Sequence, residues 1–162
     1  MIAAPALLPA LWVGQNSLLF LPEIGGRDLG STPERVGLEY QDVTLATSDG
    51  VRLHGWYLPV PEARYTLLFF HGNAGNIGDR AFKVRHYLDA GYGVLLVNYR
   101  GYGGNPGAPS EIGFYRDGHA AMAFLADKGI RRARTVIIGN SIGSGAATQI
   151  AGQFETGALI LV

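Results

Sequence analysis

The chain has no cysteine. That removes disulfides, thiolate metal sites and cysteine nucleophiles from consideration, and leaves the cellular compartment open. It also lacks a surplus of either charge, with 13 basic and 13 acidic side chains in 162 residues. A nucleic-acid partner or an electrostatically held membrane surface needs a basic surplus, so neither is expected. Charged residues make up only 16% of the chain against 48% hydrophobic, which is enough for one domain with a real core. Two local absences matter more. No charged side chain occurs in residues 1–22, and no histidine follows His119.

The uncharged start is nearly all apolar from Met1 to Gly14, is interrupted by Gln15-Asn16-Ser17, and resumes as Leu18-Leu19-Phe20-Leu21. A spanning helix needs about 20 apolar residues, so the first run is short. Pro5 and Pro9 oppose a regular helix. A secretory signal would open with a basic residue, and Arg27 is the first. Three readings stand: a truncated or mis-started membrane anchor, an interfacial segment, or an apolar arm packed on the domain. Membrane association through residues 1–22 is carried forward, with a cytoplasmic protein as the alternative. Residues 23–38 are rich in Gly and Pro and read as linker. The domain proper is expected over 39–162.

The domain opens with a hairpin. Tyr40–Leu45 and Val51–Leu58 flank Ser48-Asp49-Gly50, and Asp-Gly between alternating runs is a strong turn signal. His54 lies mid-strand and reads as structural. Three continuous apolar runs follow: Thr66–Phe70, Val94–Val97 and Thr135–Ile138. Such runs suit strands buried on both faces of a parallel sheet. Between them lie two helical patterns. One carries Ala81, Val84 and Leu88 on one face, with Gly91 placed to end it. The other starts at Ser110 as N-cap and carries Phe114, Gly118, Ala121 and Leu125 inward. A third helix follows the last run, and Gly157–Val162 is one more strand. Strands alternating with helices mean an α/β domain with a mostly parallel sheet.

In such sheets ligands sit at the carboxyl ends of the strands. Three loops leave those ends: 71–76, 98–107 and 139–143. A nucleotide-binding loop would need Gly-x-Gly-x-x-Gly, or Gly-x-x-x-x-Gly-Lys-Ser/Thr, and neither occurs. Gly139-Asn140-Ser141-Ile142-Gly143 instead joins a β-branched run to a small-residue helix. A serine in so sharp a turn takes a strained backbone that exposes its hydroxyl. Gly139 and Gly143, lacking Cβ, relieve the crowding of the positions on either side.

Together, His71-Gly72-Asn73, Tyr99-Arg100-Gly101-Tyr102-Gly103 and Gly139-Asn140-Ser141-Ile142-Gly143, each after a strand and in this order, resemble the α/β-hydrolase superfamily. The chain is most similar to the serine aminopeptidase and monoacylglycerol lipase-like group, and within it to N-terminally membrane-anchored members. The resemblance implies an α/β-hydrolase fold with an N-terminal hairpin and helices on both faces, incomplete at the C-terminus. It implies Ser141 as nucleophile and the backbone N–H groups of Asn73 and Ile142 as oxyanion hole. Gly139 and Gly143 would shape the elbow, His71 and Gly72 the supporting loop, and Ser144 would cap or pack the elbow helix. No metal and no organic cofactor are implied. The partner would be a small ester or amide.

One departure is expected to matter. The superfamily's order is serine, acid, histidine, whereas only Glu155 is acidic after Ser141, and all four histidines precede it. His119 should sit on a helix covering the sheet, and Glu155 at the far end of the elbow helix, so neither suits the role. The chain therefore reads as the N-terminal two-thirds of a serine hydrolase, or as a non-catalytic binding or scaffold protein of the same fold.

Overall fold

In the computed structural model, which describes residues 14–22, 24, 26 and 28–162, the chain forms one six-stranded sheet covered by helices on both faces. The strands are β1 (Gln41–Ala46), β2 (Arg52–Leu58), β3 (Thr66–Phe70), β4 (Gly93–Val97), β5 (Thr135–Gly139) and β6 (Ala158–Leu161). Their order is β1-β2-β4-β3-β5-β6. The hairpin is antiparallel and adds antiparallel to β4, while β4, β3, β5 and β6 are parallel. The expected architecture is thus the observed one, with hairpin strand limits shifted by one residue. The turn spans Thr47 to Val51, closed by Thr47 N–H donating to the Val51 carbonyl, and Gly50 takes its positive φ of 85°.

The helices are α1 (described over residues 14–19), α2 (Ala81–Asp89), α3 (Glu111–Asp127) and α4 (Gly143–Gln153). On one face α3 and α4 set Phe114, Ala121, Leu125, Ala147 and Ile150 against Leu68, Leu95 and Ile137. They approach closely, because a Cβ on Gly118 would stand 2.6 Å from Ile150 Cγ1. On the other face α2 sets Ala81 and Val84 against Leu67, Leu96 and Ile138. Burial on both faces explains the unbroken apolar runs of β3, β4 and β5, whereas β1 alternates because only Val43 and Leu45 point inward. Ser110 caps α3, its hydroxyl accepting from Gly113 N–H. β6 pairs with β5 on one side, and its side chains are exposed.

The stretch read as linker is docked on the domain. Pro33–Val36 form a 3-10 turn, Asn76 Nδ2 donates to the Asp28 carbonyl at 3.0 Å, Gly75 N–H donates to that of Ile24 at 2.7 Å, and Arg85 reaches that of Val36. Gly78 has no side chain to spare here, because a Cβ would meet the Leu29 carbonyl. Upstream, Phe20 inserts beside Phe114 with ring centroids 4.9 Å apart and is only 6% exposed. Burying such a ring is worth about 1.5–3 kcal/mol. Within the described residues 14–22, Phe20 is packed on the domain, while Leu18, Leu19 and Leu21 are exposed. Residues 1–13, on which the anchor expectation chiefly rests, lie outside the described residues. Among the described residues no helix is long and apolar enough to cross a membrane.

A buried ion-pair cluster locks the loop after β4. Asp117 of α3, 1% exposed, accepts from Arg100 N–H and from Arg100 Nε, both at 2.9 Å. The same guanidinium forks onto Asp49 of the hairpin turn at 2.7 and 3.1 Å. The hydrogen bonds from Arg100 hold the Asp49 carboxyl well below the usual range. Burial pushes Asp117 up, opposed by its bonds to Arg100. Removing one partner of a buried pair leaves the other uncompensated. Asp117→Ala is therefore expected to lower unfolding stability by on the order of 3 kcal/mol in chemical denaturation. Asp49→Ala should cost less, since water replaces its partly exposed carboxylate. Equal losses in the two variants would contradict this account.

Candidate active site

Because β3, β4 and β5 are parallel and in register, their C-terminal ends deliver His71–Asn76, Asn98–Gly107 and the Ser141 turn to one edge of the sheet. At that edge Ser141 has a φ of 51°, the left-handed region. A non-glycine residue there costs on the order of 1–3 kcal/mol and persists only where its surroundings dictate it. Here they do. Asn140 N–H donates to the Phe70 carbonyl at 3.0 Å, Ser141 N–H to that of Val162 at 2.9 Å, and Ser144 N–H to that of Ser141 at 2.9 Å. Helix α4 begins two residues after the serine, with Ile142 as its N-cap. Ser141 is exposed.

The surrounding glycines are needed for contact, at distances that refine the expectation. A Cβ on Gly139 would stand 2.6 Å from Ala147 Cβ and 2.8 Å from the Gly143 carbonyl. This is the predicted crowding across the elbow. Gly143, however, is pressed against the end of β3, where a Cβ would meet the Phe70 carbonyl and stand 2.7 Å from that of His71. Gly72 nests under the turn, its missing Cβ 2.6 Å from Asn140 Oδ1 and 3.5 Å from Ser141 Cβ. Ser144 Oγ donates to the Gly139 carbonyl at 3.3 Å, so its hydroxyl serves the elbow's own backbone.

Asn73 lies on the facing loop with its side chain fully engaged. Its Oδ1 accepts from Tyr102 OH at 2.7 Å and from Leu21 N–H at 2.9 Å, and its Nδ2 donates to the Leu19 carbonyl at 2.8 Å. Among the described residues, the backbone N–H groups of Asn73 and Ile142 donate no hydrogen bond. The Ile142 N–H stands at the N-terminus of α4, where the helix dipole favours negative charge.

His71 is fully buried between the rings of Tyr99 and Tyr102, at centroid distances of 4.5 and 5.4 Å. Its Nδ1 donates to the Gly72 carbonyl at 2.8 Å, and Nε2 has no partner among the described residues. Burial, more than any neighbouring charge, pushes its pKa from 6.5 down to about 4. It is a neutral loop-shaping imidazole. The other histidines are placed no better as a base. His54 pairs with Asp42 at 2.7 Å on the hairpin. His86 is exposed on α2. His119 packs against Phe154, at the opposite end of α4 from Ser141. An 11-residue helix separates those ends by roughly 16 Å. Glu155 lies at the same far end. No histidine hydrogen-bonds Ser141 among the described residues.

A pocket of about 310 Å³ adjoins the serine, lined by Leu19, Phe20, Phe114, Ser141, Ile142 and Ala146 among others. Two of these walls come from the N-terminal arm. Sequence reasoning missed them, and missed Tyr102 as the brace of Asn73. The Leu18–Leu21 run was visible, but its apolar character fits a membrane and a protein surface equally well.

The model of the alpha/beta hydrolase fold matches residues 65–160. The alpha/beta hydrolase domain-containing protein WAV2 of Arabidopsis thaliana is 40% identical over 88% of this chain and 47% of its own length. An uncharacterised membrane protein of Saccharomyces cerevisiae is 33% identical over 81% of this chain and 47% of its own. Among solved structures, an esterase of Pyrococcus furiosus superposes with a TM-score of 0.65 at 27% identity, over 80% of this chain and 52% of that one. The chain spans about half the length of the curated relatives it matches.

The depressed His71 pKa sets a pH dependence. Unfolded, the imidazole takes its proton near 6.5, while folded it resists protonation down to about 4. Protons therefore favour the unfolded chain in that window. The contribution is complete above pH 6.5 and is lost as pH falls towards 4, amounting to about 3 kcal/mol. Urea midpoints from pH 7 to pH 4 should show this acid limb, and His71→Asn should flatten it. An unchanged limb in the variant would refute the assignment.

Proposed function

Starting from the chain's membership of the alpha/beta hydrolase fold family, we propose that the protein is a serine hydrolase that cleaves an ester or short amide through an acyl-enzyme on Ser141. The observation that carries this reading is the left-handed Ser141 at the strand-to-helix turn, exposed where three parallel strands end. In this reading Oγ attacks the substrate carbonyl and gives up its proton to a base. The carbonyl oxygen becomes an oxyanion, received by the N–H groups of Asn73 and Ile142 at the start of α4. The oxyanion collapses, breaking the bond to the alcohol or amine, which leaves with the proton the base took, and water then releases the acid and restores the serine. Donors aimed at the oxyanion in this way usually supply the largest share of stabilisation in acyl transfer. The family's order sets acid and histidine after the serine, and none of the four histidines of this chain serves as that base. The second reading is a non-catalytic binding protein that retains the elbow.

Membrane association through residues 1–22 belongs to the same proposal. The uncharged composition of that stretch supports it, as does a relative that is itself a membrane protein. Cells expressing the full chain with and without residues 1–22 should differ in the share recovered with membranes. Equal partition would remove the membrane role and leave the arm only its place on the domain.

Labelling with a fluorophosphonate separates the two functional readings. A chain carrying the complete hydrolase domain should be modified at Ser141, and Ser141→Ala should abolish the label. Labelling that survives the substitution would remove Ser141 from the mechanism, and a wild-type chain inert to the probe would favour the binding protein.

A further inference from the structure

Phe20 lines two cavities. The pocket of about 310 Å³ at Ser141 has Phe20 and Leu19 in its wall. A second apolar pocket, of about 420 Å³, shares Phe20 with it and is lined also by Leu21, Pro22, Ile24, Ala108 and Pro109, with Asn16 and Ser17. The ring that both share is 6% exposed and packed on Phe114. Its backbone neighbours are pinned to the site itself. The carbonyl of Leu19 and the N–H of Leu21 hold the two ends of the Asn73 carboxamide, and Tyr102 OH braces the same Oδ1.

We infer that Phe20 is a specificity-determining residue, a partition that sets how long an acyl or alkyl chain the site accepts, and that the Asn73 carboxamide is the clamp that holds it there. The inference rests on the serine hydrolase reading and deepens it. The Ser141 pocket takes the part of the chain next to the reacting carbonyl. The apolar pocket that shares Phe20 takes the remainder once the ring is removed or swings aside. Both spaces are walled mainly by hydrocarbon, and ligand sites of a few hundred Å³ with such walls bind apolar chains. Asn73 links the two functions, since its side chain grips the arm while its backbone N–H makes no hydrogen bond among the described residues.

The experiment compares the rates at which an ethyl and a decyl fluorophosphonate label a chain carrying the complete hydrolase domain. In Phe20→Ala the two cavities join, and the decyl-to-ethyl ratio should rise about tenfold, the scale on which a few methylenes discriminate in an apolar pocket. Leu19→Trp is the companion variant. Leu19 is 57% exposed and only its side chain changes, so the fold tolerates it. The larger ring narrows the Ser141 pocket and should lower the ratio. Ratios within about twofold of wild type in both variants would overturn the partition. If Ser141 reacts with neither probe, the hydrolase reading fails instead. Binding of 1-decanol, measured by calorimetry, then decides the partition without a reactive serine. Tighter binding in Phe20→Ala and weaker binding in Leu19→Trp uphold it, and unchanged binding in both overturns it.

Discussion

Ser141 is held in a backbone conformation that a side chain disfavours, and the carboxyl edge of the sheet is arranged so that it has no alternative. β5 ends in register beside β3, and the next amide is tied to the Phe70 carbonyl. α4 must start at once, because Gly139 lies under Ala147 and the Gly143 carbonyl. Gly143 must be glycine because the β3 carbonyls occupy the space of a Cβ. The loop after β3 must likewise pass under the turn through Gly72. Each contact is ordinary packing. Together they place the strain at one residue and leave that residue exposed.

The same edge is braced from farther away. Arg100 joins α3 to the hairpin turn and so fixes the loop after β4. That loop carries Tyr102, whose hydroxyl holds Asn73, whose carboxamide holds the arm. The N-terminal segment thus belongs to the site in two ways, as a wall of its pocket and as a constraint on the loop facing the serine. Buried ionic groups are weak sources of net stability. Their contribution here is positional, since Arg100 is the point at which hairpin, helix and loop meet.

The fold was legible because its signals are local. Unbroken apolar runs marked the doubly covered strands β3, β4 and β5, Asp49-Gly50 marked the hairpin, and Ser110 marked the start of α3. The elbow was legible too, since Gly139, Ser141 and Gly143 carry their spacing in the chain. The partners were not. Gly143 was expected to relieve the elbow itself, but its neighbour is a strand 73 positions earlier in the chain (Phe70). Residues 23–38 looked like a linker because Gly and Pro are frequent there, yet their carbonyls satisfy Gly75, Asn76 and Arg85. The apolar run before them reads the same way whether lipid or protein covers it. The docking of Phe20 and of the backbone at Leu19 and Leu21 depends on contacts with Phe114 and Asn73, more than fifty positions away in the chain, and no local pattern encodes them.

The central claim is that the turn at Ser141 and the loop at Asn73 converge on one oxyanion. A crystal structure of a chain carrying the complete hydrolase domain, after reaction with a fluorophosphonate, tests it most directly. The account predicts phosphorus bonded to Ser141 Oγ, with the phosphoryl oxygen about 2.7–3.1 Å from the backbone nitrogens of both Asn73 and Ile142. A phosphoryl oxygen turned to solvent, or held by donors other than these two, would contradict it.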